Sequence, residues 1–416
     1  ICLFQEAKKN SLTVPTVLEN RISIERSAVD NYLKAVSIDV ARLSPEMTAS
    51  IEAQVQLQKR NGGCGIARIA DQADFLRLAV LVQALPDAVD RPHDGSMALP
   101  ELQEICDRLL LDPLFKDDDV PSQLERLKQI NLRVIPCPRS DLNLQSLPRK
   151  LRDALYIAKE QQWKALVTLR HCDDHLLPEK IRSLESQEAG LPLAADPRIF
   201  PIPDETFTIY LKRRLGVSIV SSGKRCSRCS REVDVDVEHP MKCPKIGRNT
   251  VHQRNCRFVT KQMNDLFRDS ATSIHYEMPI DYMRSDTCTT LFPRVDLAMR
   301  NPISGVNRMI DFTFPVINNR ATAEYPTVEL AATRKHNFYN DNFNYKNEFV
   351  LVPGAIDTYG RNCMELNKFI RDVAREGTQH TEEYAKTVNQ LRTAIAWMHV
   401  CTIGDQQVQF LRENRF

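Results

Sequence analysis

The chain has 416 residues, of which 42% are apolar and 26% charged, with a net charge of +2. That length supports two or three domains, and no apolar run approaches the roughly 20 residues of a membrane span, so a soluble chain without a membrane partner is expected. Twelve cysteines in so long a chain do not make a disulfide scaffold. Most stand singly in helical segments, and the one close group points to a metal site in a reducing compartment. The first residue is Ile1 with no signal layout behind it, which leaves a processed product or, the favoured expectation, a fragment of a longer chain.

In chain order, Val29 to Leu57 reads as helical. Gly62 and Gly63 then make a turn in "LQKRNGGCGIARIADQADFLRLAVLVQAL". An amphipathic helix follows, with Ile69, Phe75, Leu76, Ala79 and Val80 near helical spacing. Helices are also expected over Pro100–Leu111, Val120–Gln129 and Leu147–Leu166. "LRHCDDHLL" (Leu169 to Leu177) crowds His171, Cys172, Asp173, Asp174 and His175 together. No polymerase palm surrounds it, and it reads as a polar loop or helix cap. The proline-dense "LPLAADPRIFPIPDE" (Leu191 to Glu205) is the clearest linker.

A short basic helix, "TFTIYLKRRLGV", comes next, and another helix is expected over Val251 to Asp269. Strands follow over Ser273–Met278, Leu291–Met299 and Met309–Ile317, then a helix over Thr327–Asn340, a strand in "EFVLVPGAI" and a helix from Arg361 to Arg375. The last forty residues read as helical and polar on one face. The expected class is α+β and multidomain. Its segments are a helical region over 1–112, a helical linker region over 113–204, a basic Cys/His segment over 205–262, an αβββαβ core over 263–376 and a helical extension over 377–416.

"CSRCSREVDVDVEHPMKC" sets out Cys226-x2-Cys229-x9-His239-x3-Cys243. Four soft or borderline ligands at this spacing suit a closed, structural zinc tetrahedron. His252 and Cys256 lie close behind, and either can replace one of the later two ligands. Between Leu211 and Gln262 there are thirteen Lys/Arg against four Asp/Glu. Such an excess favours a polyanion through phosphate neutralisation, with Arg225, Arg228, Arg231, Lys242, Lys245 and Arg248 as candidate contacts; the plainer alternative is a solvated basic surface.

"PRVDLAMRNPISGVNRMIDFTFPVINN" reads as a hairpin with one aspartate in each arm. Alternation sets Val295, Leu297 and Met299 on one side of the first arm, and Asp296 with Ala298 on the other. In the second arm Ile310, Phe312, Phe314 and Val316 oppose Met309, Asp311 and Thr313. Each arm is expected to pack one apolar face and present one carboxylate on the other. Two close carboxylates need a cation or a proton, and Mg²⁺ accepts one or two carboxylates together with water and phosphate oxygens. Lys335 and Tyr339, four apart on the next helix, share a face toward a phosphate. Glu277, at the end of the first strand, is a further acidic candidate.

Taken together, the motifs resemble the C-terminal half of non-LTR retrotransposon proteins that carry a restriction-like endonuclease. "KRNGGCGIARIADQADFLRLAVL" is similar to the thumb's turn and helix, and "YLKRRLGVSI" to the helix before the zinc knuckle. "CSRC…HPMKC" with "VHQRNCRFVTKQMNDL" resembles the knuckle and the helix after it. "RVDLAM…MIDFTFPV…ATRKHNFY" resembles a nuclease core of the PD-(D/E)XK superfamily. The resemblance implies a thumb-like 1–112, Mg²⁺ on Asp296 and Asp311, Lys335 as the catalytic lysine with Tyr339 beside it, and structural Zn²⁺. It further implies a nuclear enzyme that nicks target DNA to prime reverse transcription. DNA, RNA, and the palm and fingers of the same protein would be its partners. Two departures stand out: Thr313 occupies the usual lysine position two residues after the second acid, and Arg294 and Val295 separate Pro293 from Asp296. A nucleic-acid-binding module with an inactive nuclease fold is the competing expectation, and a helical scaffold with an incidental knuckle is a third.

Overall fold

The computed structural model describes residues 33–34, 38, 43–65, 69–90, 99–111, 115, 119–137, 142–170, 174, 176–243, 245–246, 249–286, 288–290, 293–302, 304–317, 322, 326–378 and 381–416. The chain divides into two units, one over 1–35, 39–58 and 65–170 and the other over 36–38, 59–64 and 171–416.

In the first unit, helices α1 (Pro45–Gln56), α2 (Ile69–Val89), α3 (Pro100–Leu111), α4 (Val120–Asn131) and α5 (Leu142–Arg170) follow one another. Ser44 Oγ accepts from Met47 N–H at 3.2 Å and caps α1. The buried stripe of α2 is Phe75, Leu78, Val82 and Leu85, packed on Leu102, Ile105 and Leu109 of α3 and on Leu124 and Leu127 of α4. Leu76 and Val80, expected on this stripe, are exposed instead, because the i, i+3, i+7 rows starting at Phe75 leave them off the packed side. Helix α5 begins five residues before the expected Leu147, and Leu144, Leu147 and Leu151 anchor it across the internal Pro148. Buried Asn131 closes α4 by accepting from Leu99 N–H at 2.7 Å and donating to Leu99 O at 2.9 Å.

The second unit contains α6 (Leu177–Leu184), α7 (Asp204–Arg214), α8 (Asn249–Leu266), β1 (Ser273–Pro279), β2 (Arg294–Arg300), β3 (Arg308–Thr313), α9 (Thr327–Asn342), β4 (Val350–Ala355), α10 (Met364–Gly377) and α11 (Thr381–Asn414). The sheet order is β1-β2-β3-β4, antiparallel across the first three strands and parallel between β3 and β4. The fold is therefore α+β, and the αβββαβ element order matches the expectation. Strand β3 stops at Thr313, before Pro315, short of the expected Ile317.

The sheet is covered on both sides, not on one as the hairpin alternation suggests. Leu297, Met299, Ile310 and Phe312 pack against Val259 and Met263 of α8, Phe369 and Ile370 of α10, and Ile395 of α11. Ala298 and Met309 pack against Tyr339 of α9 and against Phe343 and Phe349 beyond it. Val295 belongs to this second cluster although Leu297 belongs to the first, so strict alternation breaks around Asp296.

The proline-dense stretch is not a free linker. Gly190, Leu191 and Pro192 are buried, Ala189 O accepts from Tyr210 Oη–H at 2.6 Å, and Trp397 Nε1–H donates to Pro201 O at 3.0 Å. Arg214, 1% exposed, donates to Lys59 O at 2.7 Å, Ala189 O at 2.9 Å and Gly63 O at 3.1 Å. The "RRLG" helix and the "NGGCG" turn are thus bound to each other through one guanidinium. The Cys/His segment, the sheet and the last helix, expected as separate domains, lie in one unit because α11 enters two cores. Leu391 and Ile395 join the sheet core, and Phe410 joins the Cys/His core. Its middle is buried on several sides, unlike the one-sided helix expected. No helix among the described residues is long and apolar enough to cross a membrane.

Candidate metal centre and carboxylate site

Ser230 adopts φ 61, and its N–H donates to Cys226 O at 2.9 Å while Cys226 N–H donates to Arg231 O at 2.9 Å. This tight turn presents Cys226 and Cys229 together. One helical turn, His239–Lys242, brings His239 and Cys243 to the same point. Ligand atoms of Cys226, Cys229, His239 and Cys243 all lie within 4.8 Å of one another, with Cys229 Sγ 3.3 Å from His239 Nε2. Three thiols and one imidazole can hold a metal such as zinc. Burial holds the His239 imidazole below its usual range, toward the neutral form a metal needs. His252 and Cys256, open alternatives in the sequence, lie in a separate cluster with Asp296.

Of the basic candidates, Arg225, Arg228, Arg231, Lys242 and Lys245 are exposed on this segment; Arg248 lies outside the described residues. Arg228 pairs with Glu413 at 2.7 Å, and Lys242 pairs with Glu238 at 3.1 Å. Glu238, next to the ligand His239, is buried and also meets Arg213 at 3.2 Å and Thr358 Oγ1–H at 3.1 Å. Arg213 donates to Thr358 O at 3.0 Å and lies 4.7 Å over the Tyr359 ring. A buried ion pair thus fastens the Cys/His segment to the loop after β4, a link that no local pattern in the sequence signals. From the "LRHCDDHLL" stretch, Asp174 Oδ1 accepts from Leu176 N–H at 2.9 Å in a polar turn before α6, and Asp174 pairs with Lys180 at 3.0 Å. His171, Cys172, Asp173 and His175 lie outside the described residues.

The second site arises where the sheet opens. Strands β2 and β3 pair at Met299–Arg308, Ala298–Met309 and Leu297–Ile310, and there the pairing stops. The next pair would set Asp296 directly opposite Asp311, and like charges opposed across a ladder are destabilising. Strand β3 remains paired with β4 as far as Thr313. On the freed side, Phe312 N–H donates to Asp296 Oδ2 at 2.6 Å. Asp296 and Asp311 are near enough to influence each other's acidity, and Lys335 Nζ lies 2.7 Å from Asp311 Oδ2.

The two carboxyls are pushed apart in acidity. Burial, together with the neighbouring Asp296 charge and against the pull of Lys335, raises Asp311 to about 6. Burial also works on Asp296, but the hydrogen bond and charge of His252 hold it below the usual carboxylate range. His252 itself is raised by its hydrogen bond to Asp296.

Tyr339 is 2% exposed, packed with Ala298 and Met309; burial and the nearby Asp311 carboxylate raise it far above the ordinary phenol range. It is therefore buried in the sheet's second core, where a phosphate contact was expected. Glu277 stands opposite Asp296 in the β1–β2 register, between the Tyr276–Leu297 and Met278–Val295 pairs. Its φ of 50 is left-handed, and its carboxylate takes Tyr276 Oη–H at 2.9 Å and Arg294 at 3.5 Å. It is not part of the ligand clusters found among the described residues. His252 is the residue of this site that sequence reasoning placed elsewhere. The usable signal was its position near the start of the helix that enters the sheet.

Comparison with known protein families finds no match, and neither does comparison with curated proteins.

Proposed function

We propose that the second unit is a metal-dependent DNA endonuclease whose active site is the opened edge between β2 and β3. The observation that supports this most is the meeting of Asp296 and Asp311 across that opening, with Lys335 2.7 Å from Asp311. A partly exposed lysine beside two mostly buried carboxylates is the equipment of phosphoryl transfer, in which charge neutralisation dominates catalysis. A divalent cation held by Asp296 and Asp311, Mg²⁺ by the resemblance, would polarise the phosphodiester and lower the pKa of water. Asp296 is held below the usual carboxylate range and so is ionised at neutral pH, ready for a cation. When a phosphate enters, Lys335 is free to exchange its contact with Asp311 for the developing negative charge.

In this reading the zinc-braced segment, with exposed Arg225, Arg231 and Lys245, grips the DNA backbone and can also meet RNA. The nick would prime reverse transcription by a palm and fingers belonging to the same protein, in the nucleus. The test is incubation of zinc-loaded protein with supercoiled plasmid and Mg²⁺ or Mn²⁺, beside an Asp296→Ala, Asp311→Ala double variant. Open circles from the unaltered protein alone are expected. A gel shift without open circles from either protein would instead mark a binding module with an inactive site.

A further inference from the structure

Near the start of α8, the ring of His252 reaches into the gap between β2 and β3. Its Nε2 lies 3.1 Å from Asp296 Oδ2 and 3.3 Å from Phe312 O. A carbonyl oxygen only accepts, so in this arrangement Nε2 carries a hydrogen shared between a carboxylate and a carbonyl. That hydrogen occupies a point where a ring nitrogen and two oxygens converge. Ligand atoms of His252, Cys256 and Asp296 lie within 4.8 Å of one another. The 3.1 Å from nitrogen to oxygen is close to the edge of an octahedron with metal–ligand bonds of about 2.1 Å, roughly 3.0 Å.

Access distinguishes the two remaining donors. The Cys256 side chain is buried in the sheet core beside Val259 and Met263. The His252 side chain is 35% exposed and so can be reached by a hydrated cation. Its ring is also steadied from behind, edge-on to Phe314 with centroids 5.9 Å apart.

We propose that His252 is a nitrogen ligand of the cation at the carboxylate pair, and that the site in consequence selects Mn²⁺ over Mg²⁺. The proposal rests on reading Asp296 and Asp311 as a cation site. Mg²⁺ is a hard ion that keeps to oxygen donors, whereas imidazole favours later first-row metals, so one nitrogen in the ligand set shifts the preference.

The test uses zinc-saturated protein, so that His239 is already engaged, and Mn²⁺ alone as the probe. Pulsed electron paramagnetic resonance should show ¹⁴N modulation from one imidazole on the bound Mn²⁺. Competition should show Mn²⁺ bound about tenfold more tightly than Mg²⁺. In His252→Asn the modulation should vanish and the preference fall toward unity, with Mn²⁺ still held by the carboxylates. The unaltered protein supplies the nitrogen signal without any variant, so misfolding of His252→Asn would not hide the result. Bound Mn²⁺ without nitrogen modulation, or modulation that survives in His252→Asn, would overturn the ligand assignment and leave the nuclease reading standing. Nitrogen-ligated Mn²⁺ with no plasmid nicking would support the ligand and remove the nuclease. Failure of Mn²⁺ to bind would remove both.

Discussion

At the scale of single residues, the structure puts unusual weight on buried polar groups. Arg214 serves three backbone carbonyls of segments far apart in sequence. Removing it strands those acceptors in a dry place, so Arg214→Ala should cost about 2–4 kcal/mol of stability, read from urea midpoints. His399 is 1% exposed and its Nε2–H donates to Asp357 O at 2.7 Å. Burial pushes His399 down to about 4 and Asp357 up to about 6. The signs oppose. As pH falls from 6.5 toward 4, the unfolded chain gains the histidine proton first, and stability is lost. Between about 6 and 3.8 the folded state gains the aspartate proton first, and stability is recovered. Asp357→Asn removes only the recovery. The variant should therefore fall behind the unaltered protein by on the order of 2–3 kcal/mol as pH drops from 6.5 to 4, checked by urea melts at several pH values.

At the scale of elements, α11 carries the sharpest expectation. Glycine in a helix interior ordinarily gives up about 1 kcal/mol relative to alanine. A Cβ on Gly404 would lie 2.4 Å from Thr206 Cγ2 of α7. Gly404→Ala should therefore destabilise, by about 1–2 kcal/mol, against the helical trend. Adding Thr206→Ser removes that methyl but leaves the hydroxyl that donates to Asp405 at 2.9 Å, and should restore stability in calorimetry. Element identity from α7 onward was legible because each strand or helix there has its own apolar period or its own turn residues, whereas α6 was not expected. The α8–β1–β2–β3–α9–β4–α10 order follows from those. The phase of α2 was not, since apolar residues occupy more of its surface than its neighbours cover. The gathering of Cys226, Cys229, His239 and Cys243 was legible from spacing, and the approach of Lys335 to Asp311 from a polar residue in an apolar strand and the helix that follows. His252 and Arg213 were not, because their partners lie 25 and more residues away and only the closed fold brings them together.

At the scale of the whole molecule, the second unit is held by contacts that skip over long stretches of chain. Zinc is expected to stabilise only part of it. Chelation, or Cys226→Ser with Cys229→Ser, should free the Cys/His segment and uncover Phe410, which packs beside Val233 and Val237. Hydrogen exchange should rise over 218–243 and near 410, while β1 to β4 keep their protection. Loss of protection throughout the sheet would show instead that the two cores melt as one.

The double role of α11 also sets an order for biosynthesis. Cys226, Cys229, His239, Cys243 and all four strands leave the ribosome before Leu391, Ile395 and Phe410 do. At usual elongation rates, on the order of ten seconds separates Cys243 from Phe410. During that interval the cysteines can take up metal, but each core still lacks a wall, so neither reaches its final packing. The two cores therefore complete their packing together, once α11 supplies the wall that each of them lacks.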